Sequence, residues 1–383
     1  MRELVALDLP GGPAFVAALV RAWERGDAVV PVDQRLPGPA RQRLLEATRP
    51  HAVVDATGDA TRFDPAAPPL DDGDALVVAS SGSTGAPKLV VHTHAGIAAH
   101  AAAVHAHLRV DPATDRWLAC LPVAHLGGLG VVLRSLVTGV GVDVLPGFDA
   151  GEVAGAPAAR GTTLVSLVPT ALDRIDPAPF RWVVLGGSAD PADRPANVVR
   201  TYGLTETGGG VVYEGVPLPG VAVRVDDAGA IAVAGPTLAR GLRAADGHVA
   251  ALVDGEGWLA TGDLGAWSAD GHLVVHGRAD DLIVTGGENV WPAAVEAALA
   301  THPAVAEVAV VGRPDPEWGA VVVAVVVPTV GGSPPTLDDL RAHVRARLPA
   351  FAAPRHLELV DALPRTALGK VARAGLAGPA PDQ

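Results

Sequence analysis

The densest group of chemically useful residues in the sequence is Ser80-Ser81-Gly82-Ser83-Thr84-Gly85-Ala86-Pro87-Lys88. Apolar runs precede and follow it, at Leu76 to Ala79 and Leu89 to Val91, so the pattern predicts a loop between two strands. The glycines let the backbone turn and expose N–H groups, the hydroxyls add donors, and Lys88 adds a cation. Together they predict an anion cradle. A Walker loop is excluded because the spacing Gly-x4-Gly-Lys-Ser/Thr is absent.

The lysine content is unusual. Of 29 basic residues, only Lys88 and Lys370 are lysines. Where arginine replaces lysine almost everywhere, the two survivors are expected at positions where a planar guanidinium cannot replace a compact ammonium group. We therefore predict that both lysines belong to functional motifs.

Composition excludes several classes of protein. The formal net charge is −13 with no basic block, which excludes a nucleic-acid-binding protein. The longest apolar stretch, around Ala320 to Val330, is too short to cross a bilayer and contains Pro328, so no membrane insertion is expected. Residues 1–12 lack a basic segment followed by an apolar run, which predicts a cytoplasmic protein. The single cysteine, Cys120, excludes a disulfide framework and is expected in the core.

The chain divides into three successive regions with different residue patterns, which together predict an α/β fold. Short Val/Leu-rich runs alternate with Ala-rich helical stretches in a large N-terminal domain, residues 1–277, which we expect to contain a substantially parallel sheet flanked by helices. Runs separated by Asp-Gly or Gly turns predict a β-hairpin subdomain at about 215–277. Residues 278–281 are the predicted domain boundary. Residues 282–383 then form a small C-terminal α+β domain, with one helix at Pro292 to Ala300 and another at Thr336 to Leu348.

The loop at 80–88 is the first of seven motifs whose order resembles that of the adenylate-forming enzymes, the family of acyl- and aryl-CoA ligases, peptide-synthetase adenylation domains and luciferases. The other six are Leu121-Pro122-Val123-Ala124-His125, Leu185-Gly186-Gly187-Ser188, Tyr202-Gly203-Leu204-Thr205-Glu206-Thr207, Thr261-Gly262-Asp263, Gly277-Arg278-Ala279-Asp280-Asp281 and Pro364-Arg365-Thr366-Ala367-Leu368-Gly369-Lys370. The resemblance implies that a carboxylate is activated by ATP with Mg²⁺ and then joined to a thiol, here coenzyme A.

The resemblance also implies a role for each motif. ATP would be bound by Ser80, Ser81, Gly82, Ser83, Thr84, Gly85, Lys88, Gly186, Gly187, Ser188, Tyr202, Gly203, Asp263 and Arg278. Among these, Tyr202 would stack on adenine and Asp263 would accept the ribose hydroxyls. Glu206, with Thr84, would bind the metal, and Thr205 would contact the α-phosphate. Lys370 would stabilise charge between the carboxylate and the α-phosphate. The small C-terminal domain would be mobile and turn about a hinge at 278–281, with Asp281 as the hinge residue. Gly286 and Gly287 would form the loop on the CoA side.

The acyl pocket is predicted from His125, Arg134, Gly128 and Gly209. A lone histidine is more often a core residue, but the resemblance implies that His125 lies between the nucleotide and acyl pockets. The glycines suggest room for a planar acyl group. Arg134 lies in an apolar helical stretch and needs an anionic partner. That partner is either an acidic residue or a second carboxylate on the substrate, unless the side chain reaches the surface.

A second carboxylate fits one branch of the family. The string Tyr202 to Tyr213, followed by Gly215 to Val221, resembles the CoA ligases that activate an aromatic dicarboxylic acid on the pathway to menaquinone. The alternatives are an aryl- or fatty-acyl-CoA ligase of other specificity, an enzyme that loads a carrier protein, and a catalytically inert nucleotide-binding protein. Only 79 residues precede the loop, so we expect part of the large domain to be reduced. The sequence leaves open whether the chain forms a homo-oligomer.

Overall fold

The structure is a computed structural model that describes residues 2–81, 87–187, 194–365, 371–376 and 378. The first part of the chain contains β1 (Leu4–Leu7), α1 (Pro13–Glu24), β2 (Ala28–Pro31), α2 (Gly38–Thr48), β3 (Ala52–Val54), β4 (Ala60–Arg62), β5 (Asp74–Ser81), β6 (Pro87–Thr93), α3 (His94–Leu108), β7 (Arg116–Ala119), α4 (Leu126–Thr138), β8 (Gly141–Val144), α5 (Ala150–Arg160), β9 (Leu164–Leu167), α6 (Pro169–Leu172) and β10 (Trp182–Leu185). The predicted alternation of strands and helices is confirmed.

The second part is richer in strands. It contains β11 (Val198–Leu204), β12 (Gly209–Tyr213), β13 (Val216–Pro217), β14 (Ala222–Val225), β15 (Ala230–Ala234), β16 (Gly241–Arg243), β17 (Val249–Ala251), β18 (Leu259–Trp267), β19 (Leu273–Arg278), β20 (Ile283–Thr285), β21 (Glu288–Val290), α7 (Pro292–Ala300), β22 (Val305–Asp315), β23 (Gly319–Pro328), α8 (Leu337–Arg345) and β24 (His356–Leu359). Helix α7 has the predicted bounds. Helix α8 is shorter than the predicted 336–348 at both ends, because Thr336 is its N-cap and Ala346 its C-cap.

Two sheets with parallel centres form most of the large domain in the part of the chain that the structure describes. One has the strand order β17-β16-β6-β5-β2-β1-β3-β4, and β5, β2, β1 and β3 are its parallel strands. The other has the order β13-β12-β11-β10-β9-β7-β8 and is parallel from β8 to β11. Strands β1 and β2 are buried along their whole length, as expected of strands covered on both faces. The remaining strands of both sheets are antiparallel.

The predicted β-hairpin subdomain is smaller than 215–277. Strands β14, β15, β18 and β19 form an antiparallel sheet, as expected. Strands β16 and β17, however, extend the first sheet of the large domain, because Leu242 pairs with Val90 and Gly241 with Val91 of β6. Strand β13 joins the second sheet. The local hairpin pattern was read correctly, but the pattern does not specify which sheet a hairpin joins.

The C-terminal region has its own sheet and core. Strands β22 and β23 form a long antiparallel ribbon that continues to β20 and β21 on one side, and β24 runs parallel to β23. Helices α7 and α8 pack on this sheet through Val295, Leu299, Leu340 and Val344, which are fully buried. Among the described residues, no helix is both long and apolar enough to cross a bilayer.

Cys120 is buried in the large domain, as predicted. Its thiol is 1% exposed and packs with Leu118 and Leu145, and burial raises its pKa to about 12. A thiol in this environment is not ionised at neutral pH and is a weak nucleophile.

Candidate active site

The Ser/Gly-rich segment lies between two paired strands. Strands β5 and β6 pair antiparallel up to Ser80 with Lys88 and Ser81 with Pro87, so the two ends of the segment are held side by side. Lys88 is exposed and Ser80 is half-buried. The predicted residues Gly82, Ser83, Thr84 and Gly85 lie outside the described residues. The strands predicted on both sides of the segment are thus present and paired.

Three residues predicted from three separate motifs lie in one cluster. The Tyr202 hydroxyl on β11 donates to Asp263 Oδ2 at 2.7 Å, and Arg278 Nη1 donates to Asp263 Oδ1 at 3.2 Å. Asp263 and Arg278 are direct partners across β18 and β19. Burial and the neighbouring Asp263 carboxylate raise the pKa of Tyr202, so its hydroxyl remains a donor. Asp263 is 6% exposed, so the carboxylate is fixed before any ligand binds.

The glycines on the predicted adenine side follow strand ends. The Gly186 N–H donates to the Leu167 carbonyl at 2.9 Å at the end of β10, and Ser188 lies outside the described residues. Gly187 has φ +116°, a conformation that L side chains rarely adopt. A Cβ at Gly203 would lie 2.0 Å from the Gly209 carbonyl oxygen. Gly203 is therefore required by close contact between β11 and β12.

The turn at Thr205–Thr207 presents one carboxylate. Thr205 and Glu206 are half-buried, while Thr207 is fully buried and its hydroxyl contacts the backbone on both sides of the turn. Among the described residues, no ion pair engages Glu206 and no three His, Cys, Asp or Glu side chains form a metal cluster. Mg²⁺ is commonly bound by one or two carboxylates together with phosphate oxygens, so a single unengaged Glu206 fits that metal.

His125 is the residue immediately before α4, and an ion pair holds its ring. Nε2 lies 2.9 Å from Asp33 Oδ2 and 3.0 Å from Arg35 Nη2. Asp33 and Arg35 follow β2 and form a bidentate pair with distances of 3.0 and 2.7 Å. Burial acts to raise the pKa of Asp33, but the hydrogen bonds with His125 and Arg35 outweigh it and hold that pKa well below its usual range.

Arg134 lies on α4, nine residues after His125, and is buried without an acidic partner. It is 5% exposed, and Nη2 donates to Ser166 Oγ at 3.3 Å. Its guanidinium carbon lies 4.6 Å from the centre of the Trp117 ring, within the range of a cation–π contact. Nε has no hydrogen-bond partner among the described residues. Burial lowers the pKa of Arg134. Of the alternatives left open by the sequence, surface exposure and an acidic partner within the described chain are therefore excluded.

Among the described residues, the groups around Arg134 supply no negative charge. The Trp117 indole donates to His105 Nε2 at 3.1 Å, so that nitrogen is unprotonated. Burial, with a further contribution from Arg134, lowers the pKa of His105 to about 4 and that of His100 to about 3. Both histidines are neutral at pH 7. A cavity of about 10 Å³, lined by His100, Gly130, Arg134 and Gly208, lies next to Arg134.

The two glycines predicted for the acyl pocket have different surroundings. A Cβ at Gly128 would lie 2.2 Å from the Leu121 carbonyl oxygen, so this glycine is required by the packing of α4 on the preceding segment. Gly209 has φ +121° and lies against the His100 ring. His100 Nε2 is 2.9 Å from the Gly210 carbonyl oxygen. Contacts with His100 on α3 thus hold the 208–210 segment in place.

The predicted C-terminal residues are spread over three places. Asp281 lies in a short turn after β19, with Oδ2 3.8 Å from Arg373 Nη1. Gly286 and Gly287 form the two-residue turn between β20 and β21, both with positive φ. Lys370 lies outside the described residues. The chain on either side of it is held, since Arg365 pairs with Val371 and Arg373 forms a bidentate ion pair with Glu296 at 2.7 and 2.9 Å.

Sequence reasoning missed Asp33, Arg35, Trp117 and Ser166. A usable signal existed for the first two, because polar residues that directly follow a buried parallel strand lie at the edge of the sheet where ligands bind. Trp117 lies in β7 and Ser166 in β9, and both strands are otherwise mainly apolar. Their contact with Arg134 depends on how α4 packs on the sheet, which the local pattern does not reveal.

Comparison with known families agrees with this geometry. The family model described as "AMP-binding enzyme" matches residues 55–243, and that described as "AMP-binding enzyme C-terminal domain" matches residues 294–370. The chain belongs to the family of AMP-binding enzymes. The resemblance to adenylate-forming enzymes predicted from the motifs is therefore confirmed.

Within that family the chain is similar to 2-succinylbenzoate–CoA ligases. It is 42% identical over 365 residues to the "Probable 2-succinylbenzoate--CoA ligase" of Mycobacterium tuberculosis, covering 88% of this chain and 93% of that protein. It is 34% identical over 342 residues to the 2-succinylbenzoate–CoA ligase of Bacillus licheniformis, covering 79% and 70% respectively.

Solved structures give the same result. The o-succinylbenzoate CoA synthetase of Bacillus subtilis in complex with the acyl-adenylate intermediate OSB-AMP superimposes with a TM-score of 0.86 at 27% identity, covering 98% of this chain and 88% of that one. The same enzyme in complex with ATP and magnesium ion gives a TM-score of 0.85 at 27% identity, covering 98% and 89%. The predicted fold of a large N-terminal and a small C-terminal domain is thus confirmed.

Proposed function

We propose that this protein is an ATP-dependent CoA ligase that converts 2-succinylbenzoate to 2-succinylbenzoyl-CoA for menaquinone biosynthesis. The observation that carries the proposal is Arg134. A guanidinium buried beside a small cavity, with neutral histidines around it and no acidic partner in the described chain, is suited to bind a carboxylate. In a substrate with two carboxylates, one can react with ATP while the other binds to Arg134.

The first half-reaction forms the acyl-adenylate. A carboxylate oxygen of the substrate attacks the α-phosphorus of ATP, a new phosphorus–oxygen bond forms, and pyrophosphate leaves. We assign the phosphates to the segment between Ser80 and Lys88 and the α-phosphate to Thr205. Mg²⁺, when bound at Glu206, neutralises phosphate charge and lowers the repulsion between the two anions. Lys370 would stabilise the charge that develops between the carboxylate and the α-phosphate.

The nucleoside part of ATP is assigned to the cluster on β11, β18 and β19. Each oxygen of Asp263 accepts one hydrogen bond from the protein, from Tyr202 or Arg278, and retains a lone pair. Both oxygens can therefore still accept from the ribose hydroxyls. Because Asp263 is fixed by these two donors, little ordering is needed when the nucleotide binds.

The second half-reaction transfers the acyl group. The sulfur of CoA attacks the carbonyl carbon of the acyl-adenylate, AMP leaves, and the thiol proton is lost. His125 would lie where the carboxylate and the incoming thiol meet. The glycine turn at Gly286 and Gly287 is proposed to contact CoA, since two residues with positive φ expose backbone N–H groups there.

The orientation of the substrate follows from the spacing along α4. His125 lies just before the first turn of α4 and Arg134 in its third turn. We assign the succinyl carboxylate to the reacting end, near His125, and the benzoate carboxylate to Arg134. We place the aromatic ring of the substrate beside the 208–210 segment.

The domain boundaries belong to the same proposal. Residues 1–277 would form the ATP and acyl pockets, and residues 282–383 a lid that turns about the hinge at 278–281. Asp281 suits this role because it lies in a short turn between β19 and β20. We place the reaction in the cytoplasm, where ATP and CoA are available. A homo-oligomer is compatible with the proposal but is not required by it.

The test is a panel of acids incubated with the protein, ATP, Mg²⁺ and CoA, with the thioester detected by mass spectrometry. The panel contains 2-succinylbenzoate, its mono-acid analogue 4-oxo-4-phenylbutanoate, benzoate and a fatty acid. We expect 2-succinylbenzoyl-CoA as the main product. A different preferred acid would overturn the specificity, and no release of pyrophosphate with any acid would indicate an inert nucleotide-binding protein.

A further inference from the structure

The ion pair of Asp33 and Arg35 meets His125 across a sequence separation of about ninety residues. The pair lies directly after β2, and His125 lies directly before α4. Asp33 and Arg35 both contact the same atom of the third side chain, His125 Nε2. This atom lies 2.9 Å from Asp33 Oδ2 and 3.0 Å from Arg35 Nη2. The pair is also closed on itself, with Arg35 Nε 3.0 Å from Asp33 Oδ1 and Nη2 2.7 Å from Oδ2.

Nε2 lies between a donor and an acceptor. If Nε2 carries the proton, it donates to the Asp33 carboxylate. If Nε2 is unprotonated, it accepts from the Arg35 guanidinium. One of the two hydrogen bonds is therefore made in each tautomer of the ring, so the ring keeps its position when its proton moves. A core histidine held by a single backbone carbonyl would not have this property.

The support for the ring is itself rigid. Asp33 is 4% exposed at its side chain, and the main-chain N–H of Arg35 donates to its Oδ1 at 3.0 Å. The next side chain, Gln34, donates to Asp8 at 2.6 Å on the other side of the loop. The Val32 N–H is bonded to the Leu7 carbonyl at 3.0 Å, which continues the pairing of β1 and β2. The loop therefore cannot turn without breaking contacts in the sheet.

We infer that Asp33 and Arg35 are positioning residues for His125, which hold the imidazole in place in either tautomer during acyl transfer. Neither residue lies in the seven motifs. The inference rests on the proposed function only in taking His125 as part of the acyl-transfer site. It predicts that removing either residue slows the same half-reaction that His125→Ala slows. We expect a loss in kcat of about 10- to 100-fold, because a small displacement of a reacting group has an effect of this size.

The chain supplies a matched control at the other end of β2. Arg25 Nε donates to Asp27 Oδ2 at 2.9 Å, and this pair has the same separation of two residues. Its exposure also matches, at 8% for Asp27 and 56% for Arg25 against 4% for Asp33 and 51% for Arg35. No histidine is hydrogen-bonded to this pair among the described residues. Asp27→Asn and Arg25→Leu therefore reproduce the structural cost of losing such a pair without affecting His125.

The decisive experiment is a double-mutant cycle. Adenylation is followed by pyrophosphate release, and acyl transfer by thioester formation from preformed acyl-adenylate. If Asp33 acts through His125, then Asp33→Asn lowers the rate in the wild-type background but has no further effect in His125→Ala. Equal losses in both backgrounds, or an equal loss with Asp27→Asn, would overturn the inference. Arg35→Leu is the second variant, and Arg25→Leu is its control for the structural cost of losing the pair.

A second readout does not depend on the substrate. The ¹⁵N signals of the His125 ring are recorded in protein labelled at histidine and assigned by their loss in His125→Ala. Asp33→Asn should shift the Nε2 signal, whereas Asp27→Asn should leave it unchanged. If the wild-type protein forms no thioester, the proposed function fails, yet this measurement still decides the inference. An unchanged Nε2 signal in Asp33→Asn would overturn it.

Discussion

Arg134→Met should separate specificity from stability, because Arg134 carries a charge that the described chain does not neutralise. Methionine has a similar length and fits the apolar surroundings of α4. The guanidinium makes one hydrogen bond, to Ser166 at 3.3 Å, and one cation–π contact, to Trp117 at 4.6 Å. A substrate carboxylate would be its first anionic partner in the described site.

The expected loss of specificity follows from one charge-assisted hydrogen bond. Such a bond contributes about 1.5–3 kcal/mol, which corresponds to about 10- to 150-fold in kcat/KM. Wild-type protein should therefore prefer 2-succinylbenzoate over 4-oxo-4-phenylbutanoate by at least this ratio. In Arg134→Met the preference should disappear, because the activity on the dicarboxylate falls while the activity on the mono-acid stays near its wild-type value.

The expected effect on stability has the opposite sign to that of most core substitutions. Burying an ion costs several kcal/mol. The Trp117 contact offsets about 2 kcal/mol of that cost, and the long bond to Ser166 about 1 kcal/mol. Arg134→Met should therefore leave the free energy of unfolding unchanged or raise it by about 1–3 kcal/mol.

Arg313→Met is the control for stability. Arg313 is buried like Arg134, but it forms a bidentate ion pair with Glu358. Its loss leaves a partly buried carboxylate unpaired, so we expect a destabilisation of about 3 kcal/mol. Thermal unfolding of both variants, together with kcat/KM for both acids, completes the assay. If Arg134→Met destabilises the protein as Arg313→Met does, or keeps the preference for the dicarboxylate, the reasoning is wrong.

Three further predictions concern packing, acid stability and catalysis. Gly128→Ala should fold poorly, because its Cβ would lie 2.2 Å from a main-chain oxygen. The control Gly127→Ala should be tolerated, because its Cβ would meet only a side-chain methyl at 3.4 Å. Equal yields and melting temperatures of the two variants would contradict this prediction. Burial acts to raise the pKa of Asp115, but hydrogen bonds from Arg181 and its neighbours hold that pKa below the usual 3.8. The stability that Asp115 contributes is therefore present above about pH 4 and is lost as the pH falls through the lowered pKa. Asp115→Asn should be less stable at pH 7, and its free energy of unfolding in urea should depend less on pH in the acid range. Lys370→Arg should slow pyrophosphate release by about 100-fold or more, and a rate near the wild-type value would exclude the assigned role.

Motif residues could be predicted from the sequence because their chemistry is local. Tyr202, Asp263 and Arg278 were each read from a separate string, and the structure brings all three together. Arg134 was recognised because a charged residue in an apolar helical stretch is rare.

Contacts between distant segments could not be predicted. Asp33 and His125 meet only because β2 and α4 are brought together by the sheet, and neither segment contains a pattern that specifies the other. Strands β16 and β17 show the same limit, because a short hairpin with Gly and Asp turns can join either sheet. The pairing of β16 with β6 joins residues that are about 150 positions apart in the sequence. No local pattern in either strand specifies this pairing.

The burial of Cys120 makes this protein suitable for site-specific labelling. The sequence contains one thiol, and this thiol is inaccessible and un-ionised at neutral pH. Cysteines introduced at exposed positions would therefore react with maleimide dyes while the native residue does not. Val330, fully exposed after β23, and Val137, on the outer side of α4, offer one position in each domain. Energy transfer between dyes at these two sites would report the distance between the domains during each half-reaction.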